Sequence, residues 1–507
     1  VIFRCFPEWL SAVQAIHIAE AHENCYADYD FTEVYCNLGC TQYRQSARNF
    51  IIKGELIMRG KKYLIPVLIG CIGLVGICIL RPSEKSESSE KTRQGLSRVK
   101  VASLYENIND GILFNRGIDE TIGILKETKT DFIFRGFWKW APVVNSPDNI
   151  PPELLELVPD KNLTPKKISE DLRKSGHYYR ELNRWITAIK GKLPDIIFVG
   201  AIPAQTLARI EFNPVTGKVY SMEETWGMAL DPQKWSITRD GKPVTREQFQ
   251  SWFHRVHPYG GKVEQYNWRK ASAYFPDITN PVFQELLLSW AKKQIDCGAD
   301  GIWIDMLHQQ ASRLAQMTGY VEHTSVRESV TAASKIVDEI HGYGKSRGKY
   351  IYVGSWDGPF VLAEIAGREF PYSPPDVDFI TISPANKEVM DMELDNAMRE
   401  KEVSIIKRKY GELPVFAFID WAFDESQTVI FSQKLSTEEQ RQVLKKFDES
   451  FAKMGVNFIY PVHGGYMGKG KITTKLAFGR YRIYDALAPE FRTYETIQEL
   501  ARYKSKK

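Results

Sequence analysis

Eight short apolar runs separated by amphipathic segments constrain this chain more than any other feature. They lie at Asp131–Phe137, Asp195–Ala201, Ala271–Phe275, Gly301–Asp305, Tyr350–Gly354, Val377–Ile382, Val415–Ile419 and Asn457–Pro461. Most are continuously apolar rather than alternating, the pattern of a parallel strand covered on both faces. The intervals carry helical signals. Asn280 before Pro281 is an N-cap with proline at the first helical position, and Val282, Leu286 and Trp290 then recur every four residues. Ser325–Gly342, Asn386–Tyr410 and Ser436–Gly455 read as further helices, the last with Glu438 and Glu439 in its first turn and Gly455 as its stop. A helix over Thr496–Tyr503 completes the series. Eight strands alternating with helices suffice to close a barrel. The expected fold is therefore α/β, a (β/α)8 TIM barrel over residues 100–507. The interval of about 203–270 is too long for an ordinary loop and reads as an insertion above the barrel, with a turn at Asn213-Pro-Val-Thr-Gly217.

In such a barrel the C-terminal strand ends face the active-site mouth, so the first polar residue after each run is a candidate. The segment Gly298-Ala-Asp-Gly-Ile-Trp-Ile-Asp305 ends its apolar run on Asp305, with His308 just beyond. The other strand ends contribute Arg135, Trp138, Lys139 and Trp140; Asp277; Trp356 and Asp357; Ser383; Asp420 and Trp421; and His463. Glycosidic cleavage needs two carboxylates, one protonated and one ionised. Burial and mutual repulsion separate their pKa values. Flat Trp rings suit the apolar faces of sugars, and this chain has twelve Trp. Asp305 and Asp420 are the expected catalytic pair, with Asp357 in reserve. Arg135, Trp138, Trp140, Asp277, His308, Trp356, Trp421 and His463 are expected to contact substrate. Plainer readings stand beside these: Asp305 as a helix cap, Asp277 and Asp357 as turn residues, the histidines as hydrogen-bonding supports, and the Trp rings as core.

The Gly-Ala-Asp-Gly-Ile-Trp-Ile-Asp segment resembles strand four of glycoside-hydrolase-type barrels. It is especially similar to the endo-α-1,4-polygalactosaminidase-like group, whose strand four tends to run Gly-x-Asp-Gly-Val-Phe-Leu-Asp. The local likeness covers about ten residues and the architectural one roughly 120–500. The resemblance implies a catalytic Asp at Asp305. This chain departs from it by placing His308 where a further acidic residue often follows. The strand-seven carboxylate, Asp420, resembles the nucleophile position of the large retaining-glycosidase clan, which uses Glu at both sites. Sugar, linkage and stereochemistry stay open.

Two other functions compete. Gly464, Gly465, Gly468, Lys469 and Gly470 follow the last strand, where phosphate sites occur in barrels, so a phosphorylated sugar is one alternative substrate. A non-catalytic carbohydrate-binding surface protein is the other. No cofactor or metal is expected: the first strand carries no His-x-His, and no His-Glu-x-x-His occurs. A net charge of +4 on 507 residues, with no basic block interleaved with aromatics, argues against nucleic acid as a partner.

The N-terminal region has a different character. Residues 1–57 lack clear periodicity and read as an extension before a start at Met58. Arg59, Lys61 and Lys62 precede the apolar run LIPVLIGCIGLVGICIL ending at Leu80, which suits a signal anchor over residues 58–80. The positive-inside rule then places the remainder outside the cell. Leu68-Ile-Gly-Cys71 also resembles a lipoprotein box with Cys71 as the acylated residue, although the chain stays apolar beyond it. Residues 81–99 read as a polar linker. The expected location is the cell membrane with the barrel outside, with secretion or lipid anchoring as variants. The expected partners are a carbohydrate and the bilayer. Six of the seven cysteines precede residue 80; Cys297 stands alone in the barrel as a small core residue.

Overall fold

In the computed structural model the described residues are 95–158, 162–256, 266–356, 358–365, 367, 369–420, 426–466, 474–476, 479–481 and 483–506. The proposed anchor, Cys71, Asp357 and Trp421 lie outside them. No helix among the described residues is long and apolar enough to cross a membrane.

Eight parallel strands close a barrel: β1 (Ala102–Tyr105), β2 (Phe132–Phe134), β3 (Ile197–Pro203), β4 (Gly301–Asp305), β5 (Tyr352–Trp356), β6 (Phe379–Ile382), β7 (Val415–Ala417) and β8 (Val456–Tyr466). Each pairs with its sequence neighbour, and β1 closes the ring on β8 through Ala102↔Ile459. The count of eight stands, but the membership differs from expectation. Ala102–Tyr105 is a barrel strand that went unrecognised, because Ser103 interrupts a run of only four residues. Ala273–Tyr274 instead pairs antiparallel with Leu207–Ala208 in the insertion. The two errors offset, so Asp305 still ends the fourth strand.

Side chains alternate along each strand, and that parity decides what reaches the mouth. Ala102 and Leu104, Phe132 and Phe134, Val199 and Ala201, Trp303, Phe379, Phe416 and Phe418, and Ile459 form one buried cluster inside the barrel. Ile302, Ile304, Val353, Ile380, Val415 and Phe458 belong to the cluster between sheet and helices. The lumen is aromatic. Phe132 stacks on Phe416 at 4.8 Å, Phe134 meets Trp303 edge-on at 5.3 Å, and Trp303 Nε1 donates to Thr381 Oγ1 at 2.9 Å. Truncating one such ring costs about 3–5 kcal/mol. Gly354 makes room for this packing, since a Cβ there would lie 2.1 Å from the Phe379 ring. Leu96 and Val99, at the end of the stretch read as linker, are buried in the lumen cluster. They precede β1 and so close the barrel at its N-terminal end.

The helices follow their caps. Asn280 Oδ1 accepts from Val282 N at 2.9 Å at the start of Pro281–Asp296. Ser436 and Glu439 form a capping box at the start of Thr437–Lys453. The single helix expected over Asn386–Tyr410 is two, Asn386–Asp391 and Asn396–Tyr410. Met392 turns left-handed at φ 57°, and Asp395 caps the second helix by accepting from Met398 N. Buried Glu388 holds the break closed by accepting from Ala385 N and Asp395 N while pairing with Arg399. The insertion between β3 and β4 carries short hairpins, the helix Arg246–Val256 and its own apolar cluster. In that cluster Leu230, Phe249, Phe253 and Phe275 pack with Leu314, Val326, Phe360 and Phe370.

Candidate active site

Continuing the lumen parity two residues past the aromatic layer brings a small set of polar groups to the mouth. From Leu104 it reaches Glu106, from Trp303 it reaches Asp305, from Thr381 Ser383, and from Phe418 Asp420. Trp356 at the end of β5 packs partly buried against the same lumen cluster.

Arg135 joins the carboxylates. It directly follows β2, lies 2% exposed and adopts φ 55°, a left-handed conformation that costs a non-glycine residue about 1–2 kcal/mol. Its Nη1 lies 3.1 Å from Asp420 Oδ1 and its Nη2 lies 3.3 Å from Glu106 Oε2. The guanidinium sits over Trp138, Trp303 and Phe418, with its carbon 4.8, 5.3 and 5.9 Å from the ring centroids. Arg135 was expected to meet substrate; its charge is instead directed at two carboxylates. Pairing with a buried cation favours the ionised form of a carboxylate.

Asp305 is in the opposite situation. Burial pushes its pKa up, the nearby Asp420 charge pushes it further, and Arg135 and the Gln205 amide offset only part of this. The result is about 7. Gln205 Nε2 lies 3.5 Å from Asp305 Oδ2. Asp305 keeps some surface open, and Asp420 is 23% exposed at its side chain, so both border the mouth. Two carboxyl groups that sense each other, with the cation paired directly to one of them, are the arrangement that separates an acid from a base.

The Trp residues divide by depth. Trp303 belongs to the lumen floor, Trp138 is 4% exposed above it, and Trp140 lies 5.3 Å from Trp138 with more of its surface free. Lys139 points away from the mouth, where its Nζ lies 2.8 Å from Glu211 Oε1 beneath the insertion.

Three expected substrate contacts lie elsewhere. The register between β1 and β8 shifts at Leu104/Tyr105, which turns His463 out of the lumen. It is fully buried, with Nε2 2.9 Å from Asp110 Oδ1 and Nδ1 3.1 Å from Asp485 Oδ2. Burial opposes its charge, yet these two carboxylates hold its pKa well above 6.5. His308 is 1% exposed and packs 4.4 Å from the Phe360 ring; burial lowers its pKa to about 3, so it is neutral. Asp277 follows a strand of the insertion, not of the barrel. It accepts from Thr279 N, Gln310 Nε2 and Lys234 Nζ, at 2.9, 3.0 and 2.9 Å. That ties the insertion to the helix after β4.

Glu106 and Gln205 were missed. Parity along Ala102-Ser-Leu-Tyr-Glu106 carries a signal for the first, once the strand is recognised. Gln205 lies beyond β3 and leaves none. Gly464 bears on both Glu106 and the phosphate reading: at φ 105° it packs so close that a Cβ would lie 2.2 Å from Glu106 Cβ. A carboxylate beside Gly464 disfavours an anionic ligand there.

No family model and no curated protein matches the chain. Solved structures that match include the Gamma-CGTase from alkalophilic Bacillus clarkii, at 13% identity and TM-score 0.35, covering 76% of this chain and 50% of that one. The α-amylase from Geobacillus thermoleovorans has 13% identity and TM-score 0.37, covering 77% and 72%. The glycoside hydrolase domain of PelA from Pseudomonas aeruginosa has 10% identity and TM-score 0.28, covering 68% and 90%. The chain thus spans half the length of the first of these. With TM-scores this low, none of the three bears on the site.

Proposed function

We propose that this chain is a glycoside hydrolase acting on a poly- or oligosaccharide, with Asp305 as general acid and Asp420 as its ionised partner. The observation that carries the reading is the asymmetry at one mouth: Asp305 pushed up to about 7 beside Asp420, and Asp420 paired with Arg135. An acid with that pKa is still half protonated at neutral pH and can deliver a proton to the leaving oxygen. Asp420 acts either as nucleophile at the anomeric carbon or as base for water. Glu106 keeps Arg135 in place, and Trp140 and Trp356 offer partly open rings for stacking. The resemblance of the β4 segment supports the same class, and the polymer of an amino sugar is the finer proposal it suggests.

The proposed location is outside the cell at a membrane, supported by Arg59, Lys61, Lys62 and the apolar run to Leu80. Protease accessibility of the barrel in intact cells tests it; a barrel protected until the cells are lysed would refute it.

The activity test uses the full chain in detergent and a panel of soluble starch, pullulan, cellulose, chitin and chitosan, scored for new reducing ends. The expected result is release from at least one polymer, abolished in Asp305→Asn. Release that persists in Asp305→Asn, or none from any polymer, refutes the reading. The anomer first formed, read by NMR, separates retention from inversion.

A further inference from the structure

Gln205 is 4% exposed and stands two residues beyond β3, at a point where the chain is tied to Asp305. Pro203 is the register partner of Asp305, and Ala204 N donates to Asp305 O at 3.0 Å. The backbone therefore holds residue 205 beside Asp305, and the Gln205 amide reaches its carboxyl. Its contact there is long, 3.5 Å from Nε2 to Oδ2, and its other polar atom, Oε1, is buried with no hydrogen-bond partner. A buried amide making one long bond and leaving its oxygen unpaired is costly unless it has a second arrangement.

The chemistry of Asp305 supplies one. As a carboxylate Asp305 only accepts, and Gln205 Nε2 can donate to it. As a carboxylic acid it also has a hydroxyl to donate, and the partner that group needs is Oε1, reached by turning the amide half a revolution. We propose that Gln205 is a positioning residue that holds Asp305 in both protonation states, exchanging donor for acceptor as the proton leaves for the glycosidic oxygen and returns. No covalent bond to Gln205 forms or breaks; the proton moves between Asp305 and the reacting oxygen, and the amide only reverses. The proposal rests on Asp305 acting as the acid. Among the described residues the charged groups that face Asp305 are Asp420 after β7 and Arg135 after β2, with Glu106 acting through Arg135.

The test takes the full-length protein and the first polymer of the panel that it cleaves, and measures kcat, KM and the pH profile of kcat/KM for Gln205→Met. Of the two arrangements the bond to the charged carboxylate is the stronger, and the amide lowers the pKa of Asp305, so its removal moves the basic limb of the profile to higher pH. The variant is expected to lose about tenfold or more in kcat while KM stays within about twofold, because Gln205 acts through Asp305 and not on the sugar. An unchanged basic limb overturns the proposal, as does a loss confined to KM, which would make Gln205 a sugar contact. Should Gln205→Met melt early, Gln205→Asn, which stays polar but draws the amide back from Asp305, carries the same test with the same upward movement of the limb. A wild type that cleaves nothing refutes the glycosidase reading and this inference with it. A cleaving wild type with an unmoved limb refutes this inference alone.

Discussion

Replacing Asp305 by Asn removes the proposed proton donor and, with it, a charge that the fold tolerates at a cost. In the folded chain the carboxyl titrates at about 7 against its ordinary 3.8. A tenfold change in an equilibrium is about 1.4 kcal/mol, so a displacement of this size corresponds to roughly 4 kcal/mol. The sign follows from proton linkage. The folded state holds the Asp305 proton more tightly than the unfolded state does. Below about pH 4 both states are protonated and nothing is lost; between about 4 and 7 the unfolded chain ionises first and stability falls. Above about 7 the loss is complete. Asn cannot ionise and escapes it. Asp305→Asn should therefore match the wild type near pH 4 and exceed it by about 2–4 kcal/mol near pH 8, allowing for solvent at the mouth. At about 2.1 cal/mol/K per residue over the described part of the chain, that is a rise of roughly 2–5 °C in Tm. Calorimetry of both proteins at pH 4.5, 6 and 8, with reducing-end release measured in parallel, provides the assay. A gap in Tm that fails to widen with pH, or a wild type that melts higher than the variant at pH 8, would refute the argument that Asp305 is held protonated by its surroundings.

Arg135→Met should leave Asp420 and Glu106 facing one another and remove three contacts with aromatic faces. Loss of one partner from a buried ion pair costs about 3–5 kcal/mol, reduced here because Asp420 is partly exposed. Since Arg135 also lowers the pKa of Asp305, the basic limb of the activity profile should move upward; Tm and the pH profile together check this. Gly464→Ala should force its Cβ into Glu106 at a backbone angle suited to glycine. We expect a loss of about 3 kcal/mol or more, seen as a lower Tm, and reduced kcat as Glu106 releases Arg135. Wild-type melting in this variant would mean that the β1–β8 junction is not tight.

The β4 segment shows why some of the candidate site was legible. Gly301–Asp305 is apolar up to a single carboxylate, and the rule that barrel strands point their C-termini at the mouth needs no tertiary information. Asp420 follows from β7 by the same reasoning. Where the rule was applied to a run that is not a barrel strand, as at Ala271–Phe275, it produced Asp277, a brace for the insertion. Where a strand is short and broken by a polar residue, as at Ala102–Tyr105, it missed Glu106. His463 failed for a subtler reason: one register shift against β1 reverses which face a side chain takes, and hydrophobicity does not reveal a shift of one residue.

By itself the sequence determined seven of the eight barrel strands, the caps that start the helices, and the two carboxylates that end β4 and follow β7. These are local properties, written in periodicity and in the chemistry of adjacent residues. The tertiary structure alone decided that Arg135 pairs with Asp420 and Glu106, that Gln205 reaches Asp305, and that His463 and His308 are buried. Those contacts join residues up to hundreds of positions apart. Their energies depend on burial and on the charge standing opposite, and neither exists until the barrel closes.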